Sequence, residues 1–313
     1  MSILHMRQAW LVSAMVLVAF VTAATARTWN STDGRQLEGE YVSNTPEAVT
    51  VKLAAGQTVV IPLTRLSEED RQWVAEQKPA TKAAGKPVEG PFGSLVTGDW
   101  AVSEFGGLPF ALYASKDLGA GQKLPLILAL HGKSQNNDNG KQVNGWMKVF
   151  AKDENYKAHP CVIVAPLCYQ PFGATGAGWR DKPGDQALAL VKALIKSLPI
   201  VDAKHVYIIG HSMGGFGTCD LMAKQPRLFA AGVAVSGFGG DADAAQLQRK
   251  PLWLHHAADD KTVAVDGSRS FAKLLEHSKP FKYTEYPTGG HGIPGMVFEN
   301  AEVRDWMFQQ VLK

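Results

Sequence analysis

The feature that most limits how this chain can fold is a set of six apolar, β-rich runs spread through its C-terminal two-thirds. They are LPLILAL (124–130), PCVIVAP (160–166), HVYIIG (205–210), FAAGVAVSG (229–237), PLWLHHA (251–257) and FKYTEYP (281–287). Most are apolar throughout rather than alternating. That is the pattern of a strand covered on both faces, and parallel sheets are the ones so covered. Between the runs lie helical stretches, among them DQALALVKALIKSL (185–198), SRSFAKLLEH (268–277) and NAEVRDWMFQQVL (300–312). Strand–helix alternation of this kind predicts an α/β fold with a doubly wound, mostly parallel sheet. It spans residues 92–313.

Upstream of Phe92 the character of the chain changes three times. Residues 1–26 carry one cation, Arg7, then an apolar run from Ala9 to Ala23 and the small residues Ala24, Thr25 and Ala26. A positive start, an apolar centre and an A-x-A end describe a signal peptide cleaved after Ala26. The alternative is an uncleaved anchor, since the run approaches the roughly 20 residues that span a bilayer. A secreted or periplasmic protein is expected, touching a membrane only through this segment if it stays uncleaved. Residues 27–75 alternate short β-rich runs with turns at Asp33-Gly34 and Ala55-Gly56, and Ser67 followed by Asp70 marks the capped start of a short helix. Runs this short and close predict a small all-β, barrel-like module. Its pattern of Trp29, Asp33-Gly34, Pro62-Leu63 and Leu66-Ser67…Asp70 resembles the Sla-type homology domain, an SH3-like barrel. That resemblance implies a module with a protein or peptide ligand, against the plainer reading of a packing or spacer module. Residues 76–91, EQKPATKAAGKPVEGP, hold Pro, Ala, Lys and Gly without apolar periodicity, the composition of a flexible linker.

Composition narrows function more than fold. A hydrophobic content of 45% with 19% charged residues argues against wholesale disorder. The net charge of +3, with no run of five basic residues, gives no ground for a nucleic-acid partner. Export would place Cys161, Cys168 and Cys219 in an oxidising compartment, where an odd number cannot all pair within one chain. Cys161 and Cys219 read as small buried hydrophobes, none of the three reads as a metal ligand or nucleophile, and Cys168–Cys219 is the one bridge considered.

Within the α/β region, YIIGHSMGGFG (207–217) contains G-x-S-x-G, a weak match alone in a chain with 31 glycines. Here an apolar strand precedes it and a helical pattern, GFGTCDLMAKQ, follows it. Ser212 therefore falls on a strand-to-helix turn, the setting of a nucleophilic serine. Gly210 and Gly214 relieve crowding there, Gly215 lets the helix pack closely, and the helix start offers orphan N–H groups. A serine nucleophile needs a base, and the base needs an orienting acid. In this fold they follow in the order serine, acid, histidine after later strands. PLWLHHAADDKTV supplies Asp259 and Asp260, both of which qualify by position. YPTGGHGIPG supplies His291 in a glycine-rich loop. His159, His205 and His277 occupy a pre-proline site, a strand start and a surface helix, and His211 is expected to point away from the turn. The oxyanion donors are expected to be the N–H of Met213 and that of Lys133 or Ser134, in the loop after the 124–130 strand.

Six ordered motifs, LPLILALHG, VIVAPLC…W, HVYIIGHSMGGFGT, LFAAGVAVSGFG, PLWLHHAADDKTV and GGHG…W, make the segment from Leu108 to Trp306 similar to the α/β-hydrolase serine esterases related to feruloyl esterases, polyhydroxyalkanoate depolymerases and "predicted peptidases". The resemblance implies acyl-enzyme chemistry with no cofactor and no metal. The family's H-G-x-x-D-x-x-V pattern places His256 and Val263 in register and makes Asp260 the acid, with Ala257 where the family has glycine. Trp179 takes the position of a family tryptophan and is the expected wall of the substrate pocket, the plain alternative being a tryptophan packed on the domain. Asn136, Asn137, Asp138 and Asn139 read as a solvated turn.

Other readings compete. HHAADD could hold a metal, but neighbouring residues on a strand point to opposite faces. A non-catalytic binding protein acting through its N-terminal barrel is a second class, and the filled triad positions argue against it. Peptidase and acyltransferase activity share the same triad. The segment FGGDADAAQLQRK (238–250) is too short for a lid domain, which favours bulky or surface-displayed esters such as acylated polysaccharide or polyester. The reading is an exported serine esterase with Ser212 as nucleophile, His291 as base and Asp260 as acid.

Overall fold

The structure is a computed structural model describing residues 26–44, 48–54, 58–77, 88–119, 121–133 and 139–312. The candidate signal segment, the turn at Ala55-Gly56, linker residues 78–87, Ser134 and the polar run 136–138 lie outside the described residues. The chain divides into two separately packed units, Met1–Ala83 and Ala84–Lys313. Among the described residues no helix is long and apolar enough to cross a membrane.

In the first unit, β1 (Arg27–Asn30), β2 (Gln36–Asn44), β3 (Ala48–Lys52) and β4 (Thr58–Pro62) form an antiparallel sheet in chain order. Helix α1 (Glu68–Glu76) follows; the Ser67 hydroxyl accepts the Asp70 N–H at 3.2 Å, satisfying one of the orphan donors at the helix start. Trp29, Val49, Val51, Leu66 and Val74 form the buried core. Ser31 bridges to Leu66, so the chain after β4 returns to β1.

In the second unit, β5 (Ala101–Phe105) and β6 (Leu108–Tyr113) form an edge hairpin, followed by β7 (Leu124–Leu130) and β8 (Val162–Pro166). A two-residue hairpin, β9 (Phe172–Gly173) with β10 (Gly176–Ala177), stands outside the main sheet. The remaining strands are β11 (Val201–His211), β12 (Ala231–Val235), β13 (Leu252–Ala257) and β14 (Phe281–Tyr286). The eight main strands run in the order β14-β13-β12-β11-β7-β8-β6-β5, parallel from β14 through β8 and antiparallel at the β8–β6–β5 edge. The helices are α2 (Gly145–Lys148), α3 (Asp153–Ala158), α4 (Lys182–Ser197), α5 (Met213–Lys224), α6 (Asp241–Leu247), α7 (Val265–Leu274), α8 (Pro294–Glu299) and α9 (Ala301–Phe308).

The uninterrupted apolar runs have a direct cause. Successive side chains on a strand face opposite ways, and both faces of this sheet are covered. On β7, Leu126, Leu128 and Leu130 enter a core with Leu190 and Val191 of α4, Leu221 of α5 and Phe271 of α7. Ile127 and Ala129 enter the opposite core with Trp146 of α2, Val297 and Phe298 of α8 and Met307 of α9. FKYTEYP alternates because β14 is an edge strand and only half-buried. The polar residues of Val201–Lys204 hid the true start of β11, which is irregular between Val201 and Val206. Part of the linker segment is also ordered: Val88 packs on the core of the second unit and Gly93 N–H donates to Gly90 O at 3.0 Å.

β7 lies between β8 and β11, so the chain winds outward in both directions from it. Such a reversal opens a crevice at the carboxyl ends of the strands, where ligands of open α/β sheets bind. Ser212 follows β11, Gly132 follows β7, Asp260 follows β13 and His291 follows β14, all at that end of the sheet.

Candidate active site

At the end of β11 the backbone turns sharply into α5, and Ser212 takes φ 56° and ψ −118°. A residue with a side chain holds a positive φ only where its surroundings over-determine it. Here the Ser212 N–H donates to Val235 O at 2.9 Å on β12, and Phe216 N–H donates to Ser212 O at 3.0 Å. The flanking glycines are a matter of space. A Cβ on Gly210 would come within 2.1 Å of Gly214 O, and one on Gly214 within 1.9 Å of Leu130 O. The N–H groups of Met213 and Gly214 are among the first four of α5, which lack intrahelical acceptors and carry the positive end of the helix dipole.

The acid sits in the turn after β13. Asp260 Oδ1 accepts the N–H groups of Thr262 at 2.8 Å and Val263 at 3.0 Å. Its Oδ2 lies 2.7 Å from His291 Nδ1 and 3.1 Å from His256 Nε2. Burial works to raise the carboxyl pKa, but the Val263 N–H, His291 and the Thr262 N–H outweigh it, and the group is held below its ordinary value. His256 Nε2 also lies 3.0 Å from Val263 O, and its Nδ1 lies 2.6 Å from Ser268 Oγ. A carbonyl oxygen only accepts, so His256 carries a proton on Nε2, while its Nδ1 pairs with the Ser268 hydroxyl. This accounts physically for the His256…Asp260…Val263 spacing: both outer residues hold the carboxylate.

Three groups position His291. Asp260 holds its Nδ1–H, leaving Nε2 as the nitrogen able to take a proton. Asp259, the other acid considered, accepts the N–H groups of Gly290 at 2.7 Å and Gly289 at 3.3 Å, at φ 58° and 134° in the loop before His291. His211 Nε2–H donates to His291 O at 2.7 Å. The sequence reading had assigned His211 no part. His211 pins the loop that carries His291, a relation between distant segments that no local spacing encodes. Burial pushes its pKa down to about 4, against the smaller opposing effect of that carbonyl.

On the other side of Ser212, a Cβ added to Gly132 would lie 3.5 Å from Ser212 Cβ, so the loop after β7 passes directly against the nucleophile. Lys133 follows with its side chain exposed. Trp179 corrects an expectation. It is fully buried, its Nε1–H donates to His131 O at 3.0 Å, and a Cβ on Gly217 would sit 2.6 Å from its own. It therefore fastens the Gly132 loop from inside the core and walls no open pocket. Half-buried aromatic rings do stand at this end of the sheet, and the sequence reading passed over them. Phe172 lies close to Met213 across Gly178, and Phe172, Phe216 and Phe238 follow in series with centroids 5.5 and 4.8 Å apart.

The remaining expectations resolve simply. Cys161, Cys168 and Cys219 are free and buried, so the Cys168–Cys219 bridge is not formed, and burial pushes the Cys168 thiol up to about 11. His255 stacks on Trp253 at 4.9 Å while His256 faces Ser268 from the opposite side of β13. With Asp259 turned to the glycine loop, the HHAADD side chains do not converge on one point.

Comparison with known proteins bears on the fold and the broad class. The prolyl oligopeptidase family model matches residues 174–240, from the turn of the β9–β10 hairpin through Ser212 to the loop after β12. The bifunctional acetylxylan esterase/xylanase of Neocallimastix patriciarum is 29% identical over 182 residues, which is 56% of this chain and 25% of that protein. A crystal structure of a thermostable esterase superposes with a TM-score of 0.61 at 29% identity, covering 68% of this chain and 62% of that one. The Pyrococcus horikoshii acylaminoacyl peptidase shares the fold at 15% identity, with a TM-score of 0.53 over 93% of this chain and 51% of that one. The chain thus spans only part of each of these relatives. The second unit has the α/β-hydrolase fold, and the similarities support a serine hydrolase whose relatives include esterases and peptidases.

Two predictions follow from the packing of the site. Asp259→Ala removes the acceptor for two loop N–H groups at an exposed position. It should lower kcat on an activated ester about tenfold through misplacement of His291, with little change in the urea midpoint; unchanged kcat would dismiss the clamp. His131, His211 and His255 are held neutral by burial, with pKa values pushed down to about 4, about 4 and about 3. Unfolded, each takes up a proton near pH 6.5, roughly the ordinary histidine value. Below that pH the unfolded chain binds more protons, so these groups subtract stability as pH falls from 6.5 towards 4 and add no slope above it. Each contributes at most about 1.4 kcal/mol per pH unit. Urea unfolding should report a loss of a few kcal/mol between pH 7 and pH 5, with a shallower slope in His255→Asn.

Proposed function

We propose that the protein is an exported carboxylic ester hydrolase acting through Ser212, His291 and Asp260. The observation that carries this reading is the 2.7 Å contact of Asp260 Oδ2 with His291 Nδ1, in a loop fastened to the residue preceding a strained serine. Ser212 Oγ attacks the ester carbonyl while His291 Nε2 takes its proton. The charge that develops on the carbonyl oxygen is met by the N–H groups of Met213 and Lys133. His291 returns the proton to the leaving alcohol, and a water activated by the same nitrogen releases the acyl group from Ser212. Asp260, kept ionised by its N–H donors, fixes the tautomer of His291 throughout and stabilises the imidazolium. These residues need no metal or cofactor for these steps.

Esters are favoured over peptides by the two relatives at 29% identity, both named as esterases. The segment between β12 and β13 holds only the seven-residue α6, which favours an uncapped site and a bulky or displayed ester. Acylated polysaccharide is the first substrate class on this reading and polyester the second. The apolar segment before Ala26 supports export by a cleaved signal, to the periplasm or outside the cell. The N-terminal unit is read as a Sla-type, SH3-like module with a protein or peptide ligand. Peptidase activity is the second reading, favoured by the prolyl oligopeptidase match over 174–240.

Treating the protein with a fluorophosphonate and mapping the adduct by mass spectrometry tests the assignment. Stoichiometric labelling at Ser212 is expected, absent in Ser212→Ala and slowed about 10³-fold or more in His291→Ala and Asp260→Asn. Folded protein that resists labelling would sink the hydrolase reading. A panel of acetylated xylan, polyester film and acyl-peptide amides then separates ester from amide cleavage.

A further inference from the structure

His131 is 1% exposed, yet both of its ring nitrogens are engaged. Nδ1 lies 2.7 Å from the carbonyl oxygen of Gly132, and Nε2 lies 2.9 Å from the backbone nitrogen of Cys168. A carbonyl can only accept and an amide N–H can only donate, so the assignment is forced: the proton is on Nδ1 and the lone pair on Nε2. A second ring proton would face the Cys168 N–H, and the ring stays neutral. Trp179 holds the same residue twice, its ring edge-on to the imidazole at 5.2 Å and its Nε1–H bonded to His131 O at 3.0 Å.

The consequence lies one peptide further on. In a trans peptide the C=O and N–H point in opposite directions. The Gly132 carbonyl is turned inward onto a buried ring, so the Lys133 N–H is turned outward, away from the core. Gly132 itself lies against the nucleophile, since a Cβ there would be 3.5 Å from Ser212 Cβ. Accepting the acyl-transfer reading above, we propose that His131 is a positioning residue of the oxyanion site: its Nδ1–H holds the Gly132–Lys133 peptide so that the Lys133 N–H, with that of Met213, faces the acyl oxygen. Gly132 has the backbone freedom of a residue without Cβ. Without the imidazole, the same peptide can turn its carbonyl oxygen towards the developing anion, and an attraction becomes a repulsion.

Two variants separate this role from simple packing. In His131→Asn the side-chain amide nitrogen takes the place of Nδ1 and can still donate to Gly132 O, but nothing reaches Cys168. In His131→Gln the amide oxygen takes the place of Nε2 and can still accept from Cys168 N–H, leaving Gly132 O unbonded. With a p-nitrophenyl ester, the glutamine variant should lose about 100-fold in kcat, the scale of removing one oxyanion donor, with KM within about threefold. The asparagine variant should retain kcat within about tenfold of the parent. Long-range 15N–1H spectra, recorded without substrate, should show His131 protonated on Nδ1 alone. A glutamine variant as active as the parent, an asparagine variant as impaired as the glutamine one, or an Nε2-protonated ring would each overturn the proposal while an active, labelled Ser212 upheld the acyl-transfer reading. A parent protein that neither labels nor hydrolyses the ester would bring down both.

Discussion

The Asp260 carboxylate is the point on which the rest of the site depends. Two backbone N–H groups of its own turn, the His256 ring and the His291 ring all converge on its two oxygens. A partly buried carboxylate is tolerable only when its lone pairs are used, and here nearly all are. The arrangement couples β13 to the loop after β14, because the charge that must be satisfied at the end of one strand is satisfied in part by a residue from the next. His256 is in turn fixed by Ser268 of α7, so the helix packed under β13 also bears on the acid. A shift of either element would strand a charge, which is a strong restoring force on the geometry.

The side chains that hold the candidate site together are mostly histidines. His131 holds the loop after β7, His211 holds the loop after β14, and His256 holds the acid. An imidazole suits this work because it donates from one nitrogen and accepts at the other while remaining neutral in a low-dielectric interior. The same property carries a cost. Rings kept neutral by burial resist protonation only while the fold persists, so His131 and His211, which hold two of the site's loops, also make the fold sensitive to acid. Site architecture and acid stability are two consequences of one choice of residue.

Much of this could be read from the residues in order. Apolar runs without alternation predict a covered parallel sheet, and the sheet is there because Leu126 to Leu130 fill two cores at once. The strand before Ser212 and the helix after it lifted a weak glycine pattern into a specific turn. What could not be read shares one character: it depends on where a loop travels. Asp259 and Asp260 are adjacent and chemically identical, and they are separated only by the glycine loop, which offers N–H groups to one and a ring to the other. His211 looks idle until that loop crosses it. Trp179 has the same local sequence whether its ring faces a pocket or the core, and the core won because His131 O offers its indole N–H a buried acceptor.

On the proposed reading, the catalytic apparatus is largely indifferent to what it cleaves. N–H groups of a helix start and a turned peptide stabilise any tetrahedral oxyanion, and one histidine can protonate an alcohol or an amine. Discrimination must come from groups that touch the substrate outside the reacting atoms. At this end of the sheet stand the half-buried rings of Phe172, Phe216 and Phe238, with Arg180 lying 5.7 Å over Phe216 and 3.9 Å from Asp243 of α6. They come from three separate segments, the β9–β10 hairpin, α5 and the loop after β12. None of these rings takes part in the hydrogen bonds that hold Asp260, His291 and the Gly132 carbonyl. Phe172 and Phe238 thus lie on other pieces of chain than those hydrogen bonds, while α5 joins the two parts, since Phe216 N–H donates to Ser212 O.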